Sequence, residues 1–69
     1  MKILTKIKQY QNRDWFYIRP AGELDMASAE QFRNVIKDGL HKSGCRMLWL
    51  DFAAVSFIDS SGLGVMLSA

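Results

Sequence analysis

Sixty-nine residues bound the chain to a single domain at most, since domains are most often about 100–150 residues long. At 49% hydrophobic and 23% charged, the composition is that of a globular chain, and no stretch approaches the roughly 20 apolar residues of a membrane span. The net charge of +2 is too small to argue for nucleic acid, and read along the line the sequence holds no basic stripe with interleaved aromatics.

Residues Ile3 to Tyr10 alternate loosely, with Ile3, Thr5 and Ile7 on one side and Leu4, Lys6 and Lys8 on the other. This predicts a strand near a sheet edge, guarded by its lysines. Gln11-Asn12-Arg13-Asp14 is polar and turn-like, and Trp15-Phe16-Tyr17-Ile18 predicts a second strand, hairpin-paired with the first and ended by Pro20 and Gly22. The start Met1-Lys2-Ile3-Leu4-Thr5-Lys6 has no long apolar core, so no signal peptide is read and a cytoplasmic address is expected.

Asp25 is a good N-cap, and Ser28 with Gln31 gives a second, overlapping capping signal. Ala29, Phe32, Ile36 and Leu40 then recur at helical spacing with Val35 beside them, which predicts an amphipathic helix. Gly39 weakens that helix and Gly44 closes it, with Lys42 near its C-terminal end. His41 reads as a surface or cap residue. Cys45, the single cysteine, forms no internal disulfide; with His41 it makes no metal site, and it reads as an ordinary thiol near a strand start.

Arg46 to Phe52 predicts a third strand. Its two faces, Leu48, Leu50 and Phe52 against Met47 and Trp49, are both apolar, as in a parallel strand covered on both sides. Ala53-Ala54-Val55-Ser56-Phe57-Ile58 reads as a short apolar connection. Asp59-Ser60 then caps a second helix from about Ser61 to the end. The order β-β-α-β-α opens an α/β layered domain with a mixed sheet.

All nine Lys and Arg lie between Lys2 and Arg46, and beyond Arg46 the charges are Asp51 and Asp59. A partner meeting the serine loop therefore meets locally negative chemistry, and a basic or hydrogen-bond-donating surface suits it. The loop Asp59-Ser60-Ser61-Gly62-Leu63-Gly64 has a plain reading as an N-cap. Its glycines exceed what a cap requires, at up to about 1 kcal/mol each relative to Ala, and close approach of a partner is one reason for them. A phosphate there would add roughly −1.5 to −2 of charge. A hydrolase elbow is disfavoured because Ser60 has Ile58 two residues before it and no suitably placed histidine. A phosphate-cradling P-loop is excluded because no lysine follows Lys42.

Gly22-Glu23-Leu24-Asp25, Leu50-Asp51-Phe52 and Phe57-Ile58-Asp59-Ser60-Ser61-Gly62-Leu63-Gly64-Val65, in this order and spacing, resemble the STAS domain, and within it the bacterial anti-sigma-factor antagonists. The resemblance covers nearly the whole chain and implies a mixed sheet with helices packed on it. It implies a protein that acts by binding rather than catalysis, with no cofactor and no metal. The expected partner is an anti-sigma factor that is also a serine kinase, the acceptor would be Ser60, and a PPM-type phosphatase would reverse the modification. Gly22, Glu23, Asp25, Asp59, Ser60, Ser61, Gly62 and Leu63 would form the partner-binding surface. The alternative is a STAS interaction subunit of a transporter or larger signalling complex, without phosphorylation turnover. Family members continue into a further strand and helix and usually a last strand. Residues 1–69 are thus expected to be one partial STAS domain, completed by homodimerisation or swapping at the open edge of the third strand.

Overall fold

The Gln-Asn pair between the first two apolar runs sets the start of the fold. In a computed structural model of the chain, which describes residues 1–58, Gln11 and Asn12 take positive φ angles of 53° and 61°. Two successive left-handed residues make the tight turn whose twist matches paired strands. β1 (Lys2–Tyr10) therefore folds back antiparallel on β2 (Arg13–Leu24), with Tyr10 opposite Arg13 and Lys2 opposite Ala21. The hairpin is the one the sequence predicts, with two residues making the turn rather than four.

β2 continues past Pro20 and Gly22, where the sequence predicts its end. The pleat explains how. The Asp51 N–H donates to the Ile18 carbonyl (3.0 Å) and the Gly22 N–H donates to the Ala54 carbonyl (3.1 Å), so these two positions of β2 turn their polar groups to the same edge. Pro20 lies midway between them on that pleat, and its missing N–H faces the same way. Along this edge β3 (Met47–Leu50) pairs parallel with Trp15 to Ile18, and β4 (Val55–Ile58) pairs parallel with Gly22 to Leu24. Residues 19–21 have no register partner there, so the lost donor falls in the gap between two strands. Gly22 absorbs the irregularity that follows, with φ at 105°, a value that a side chain would strain.

β4 occupies part of the segment expected to be a connection. The turn that launches it is tied twice: the Ala53 N–H donates to Asp51 Oδ1 (3.0 Å) and the Val55 N–H donates to the Phe52 carbonyl (3.0 Å). Sequence order in the described sheet is thus β-β-α-β-β, with β2 as the shared central strand. The second predicted helix begins at Ser61 and lies outside the described residues.

α1 (Met26–Ser43) starts and stops where predicted. Asp25 caps it by accepting from the Ser28 N–H (2.9 Å), and Gly44, left-handed at φ 71°, donates its N–H to the Leu40 carbonyl (3.1 Å). Its Ala29 and Phe32 bury completely against Phe16, Ile18 and Leu24 of β2, and Val35, Ile36 and Leu40 pack around them. Full burial of Ile18, Leu24 and Phe32 contributes about 1.5–3 kcal/mol each. β3 is shorter than the predicted Arg46 to Phe52, and among the described residues nothing covers it on both faces: Trp49 and Leu50 are 36% and 40% exposed.

Gly39 has a packing role that helix propensity hides. A Cβ built there would meet the Phe16 ring at 2.1 Å. The helix sits this low over β2 because residue 39 has no side chain. Gly39→Ala gains up to about 1 kcal/mol of helix propensity but overpacks the core at a typical cost of about 1–3 kcal/mol. We expect a net loss of stability in denaturant melts. In Gly39→Ala/Phe16→Leu the two losses should sum to less than the separate values, because the smaller side chain vacates the space.

Candidate functional site

Parallel pairing of β2 with β4 brings two distant sequence segments to one end of the sheet. Glu23 is in register with Phe57, and Leu24 with Ile58. The residue after Leu24 is Asp25, the cap of α1. The residue after Ile58 is Asp59, the first of the serine loop. Asp59, Ser60, Ser61, Gly62 and Leu63 lie outside the described residues. What the sheet fixes is where their segment departs, at the level at which β2 hands over to α1.

On the described side of this junction, Gly22, Glu23 and Asp25 lie where β2 hands over to α1. The Gly22 bulge turns β2 toward the helix, Glu23 is exposed, and Leu24 is fully buried beneath them. Asp25 is exposed in extended backbone geometry. Hydrogen bonds from the Ser28 backbone and then from the Ser28 hydroxyl hold its carboxyl below the ordinary carboxylate range. It is therefore a fixed anion set against the positive end of α1, whose first turn carries no other acidic residue.

Three apolar side chains near this junction were not among the predicted site residues. Met26 is 57%, Phe57 54% and Ile58 37% exposed. Large apolar groups in water beside a fixed anion suit the contact surface of a protein partner better than a catalytic cleft. Met26 lies three residues before Ala29, in line with the apolar face of α1, and Phe57 reads as part of a connection, so no sequence signal separated them from core residues.

A second structural group supports the junction from below. Tyr17 on β2 donates its hydroxyl to Asp51 Oδ2, while Asp51 Oδ1 receives the Ala53 N–H. The Tyr17 hydrogen bond, followed by that from Ala53, lowers the Asp51 pKa; the same bond raises that of Tyr17, aided by burial. Asp51 thereby ties β2 to the turn that delivers β4, and with it the register at Leu24 and Ile58. Among the described residues no cluster of His, Cys, Asp and Glu could hold a metal ion, and no helix is long and apolar enough to cross a membrane.

Comparison with known proteins bears on this geometry directly. Residues 6–69 match the STAS domain family. The chain belongs to that family. An anti-sigma F factor antagonist of Paenibacillus polymyxa is 31% identical over 62 residues, which span 90% of this chain and 53% of that protein. The solved structure of the anti-sigma factor antagonist SpoIIAA in its unphosphorylated form is also 31% identical, with a TM-score of 0.60 over 94% of this chain and 58% of that one. The phosphorylated form of the Bacillus cell fate determinant SpoIIAA gives a TM-score of 0.59 at the same identity and coverage. A protein of the DUF3478 family from Shewanella loihica PV-4, with a SpoIIAA-like fold, reaches a TM-score of 0.67 at 17% identity over 96% of this chain and 52% of its own, a likeness of fold alone. The chain thus spans a little over half the length of the relatives it matches. The mixed sheet with packed helix predicted for the STAS domain is the fold observed.

The two depressed carboxyls set a pH dependence. An Asp whose folded pKa lies below its unfolded value stabilises the fold fully above the unfolded value, and that stability disappears as pH falls through the folded value. For Asp25 and Asp51 the loss therefore begins as pH drops below the ordinary value of 3.8. Thermal melts of the wild type should hold their midpoint down to that pH and then fall. Asp25→Asn keeps a capping oxygen and should flatten the acid limb with little change near neutrality; an unchanged acid limb would contradict the assignment.

Proposed function

We propose that the protein is an anti-sigma-factor antagonist, a binding module that engages an anti-sigma factor with serine kinase activity and is switched off when that kinase phosphorylates Ser60. The observation that carries this reading is the register of Leu24 with Ile58, in a chain 31% identical to an anti-sigma F factor antagonist. It sets the Gly22–Asp25 segment and the departure of the serine loop at one sheet end, so a single partner surface would have both within reach. Gly22, Glu23 and Asp25 would contribute one side of the contact, and Asp59, Ser60, Ser61, Gly62 and Leu63 the other. Ser61 serves better as helix cap than as acceptor.

Phosphate would act by charge rather than by refolding. Roughly two added negative charges at a partner contact would raise its desolvation cost and repel Glu23 and Asp25. A PPM-type phosphatase would restore the binding form, and the whole cycle belongs in the cytoplasm.

Incubation with the anti-sigma factor kinase of the same organism and ATP should add one phosphate, located at Ser60 by mass spectrometry and absent from Ser60→Ala. In pull-down or calorimetry with that kinase, Ser60→Asp should bind at least about tenfold more weakly than wild type, a loss of about 1.4 kcal/mol. Incorporation at Ser61, or a stable complex in which Ser60 is never modified, would overturn the proposal.

A further inference from the structure

The sheet face opposite α1 carries chemistry that the antagonist reading does not use. Strand pairing lays Tyr10, Trp15, Tyr17 and Trp49 side by side there, with neighbouring ring centroids 5.7 to 6.4 Å apart. Over these rings sit ammonium groups. Lys8 Nζ is 4.0 Å from the Tyr17 centroid and 4.8 Å from that of Trp49, and Lys6 Nζ is 5.3 Å from Tyr17. Arg19, the next residue of β2 on this face, places its charge by the Tyr17 hydroxyl and Asp51. Lysines and aromatics far apart in sequence are thus interleaved across the hairpin, a pattern absent from the linear sequence.

The charges on this cluster do not balance. Lys6, Lys8 and Arg19 bring three cations, while Asp51, the carboxylate that Lys8 and Arg19 face among the described residues, already accepts from Tyr17 and Ala53. Cation–π contact holds the lysines in place at about 0.5–1 kcal/mol each when exposed, but it does not neutralise them. Beside them Tyr10 and Trp49 remain 54% and 36% exposed, and Leu4 on the same strand face is 52% exposed. Among the described residues no element covers this face. Tyrosine, tryptophan and arginine are the side chains that dominate protein–protein hot spots, and a positive rim selects a negative partner.

We propose that this open face is a second docking surface, separate from the serine loop, for an acidic protein segment that carries aromatic or aliphatic anchors. Its carboxylates would meet Lys6, Lys8 and Arg19, and its anchors would pack on Trp49, Tyr10 and Leu4. The ring geometry favours a peptide over single-stranded nucleic acid. Neighbouring rings are inclined at 59° to 76°, so they offer a notched surface of edges and faces rather than the successive open faces on which bases stack.

Both tryptophans of the chain lie in this cluster, so their emission reports on this face. The full chain is titrated with the random copolymer poly(Glu,Tyr), with poly-Glu and with oligothymidylate, exciting tryptophan selectively. We expect a saturable change with poly(Glu,Tyr), weakened by salt, and binding at least about tenfold weaker to poly-Glu, which lacks anchors. Lys6→Glu/Lys8→Glu should lose about tenfold or more in affinity. Lys37→Glu/Lys42→Glu, the same charge change on α1, should bind as wild type, and so should Ser60→Asp. Lys8→Gln provides a milder test of the same contact should the double reversal unfold the chain. No saturable signal, equal binding to poly-Glu, equal or tighter binding to oligothymidylate, or equal loss in the α1 variant would each overturn the proposal.

Discussion

A strand that serves two parallel partners along one edge must interrupt its hydrogen bonding between them, and in β2 that interruption is Pro20. The residue cannot donate, and its pleat places the missing donor where β3 has ended and β4 has not begun. Most strand positions would leave an N–H without a partner in the gap. Proline removes that group altogether and fixes φ in the range an extended chain tolerates. Pro20 is also fully buried, so the break in the ladder is sealed by apolar contact. The gap sets the spacing between Ile18 and Gly22, and that spacing places Ile58 beside Leu24. The junction at the sheet's end is therefore a consequence of register set several residues earlier.

The helix is held to this frame by the absence of a side chain as much as by the presence of others. Ala29 and Phe32 fill the space over Ile18 and Leu24, while Gly39 lets the second half of α1 settle on the Phe16 ring. Asp25 caps the other end of the same helix, next to the Leu24–Ile58 pairing, so the packed core and the junction share one element.

Much of this was legible in the sequence, for identifiable reasons. Asp25 and Gly44 bound α1 as their capping chemistry demands, and the period of Ala29, Phe32, Ile36 and Leu40 marks its buried face. The first hairpin follows from alternation. The segments that failed to announce themselves depend on long-range pairing. Val55–Ile58 is four residues, too short to establish a period and with Ser56 as its one polar member, and it becomes a strand where β2 extends beyond Pro20 to receive it. Pro20 and Gly22 are strand breakers in isolation and useful only once their neighbours are known. The site motif was visible as a motif, and its Gly22, Glu23 and Asp25 fall where β2 hands over to α1. The part played by Asp51, a residue of the same family pattern, emerges only when Tyr17 and Ala53 are seen on its two oxygens.

The charge asymmetry of the sequence acquires a spatial meaning in the sheet. Every cation precedes Met47, and the last charges are acidic. Because β1 and β2 pair side by side in one sheet, Lys6 and Lys8 are gathered on the open face, over aromatic rings. Because β4 returns to the far end of β2, it ends beside Leu24, next to Glu23 and Asp25. Two surfaces of opposite sign thus occupy different faces of one small domain. A partner attracted to one is repelled by the other, so electrostatics alone separates their ligands. A further negative charge at the acidic end would deepen that contrast, and its reach toward the cationic face would shorten as salt rises.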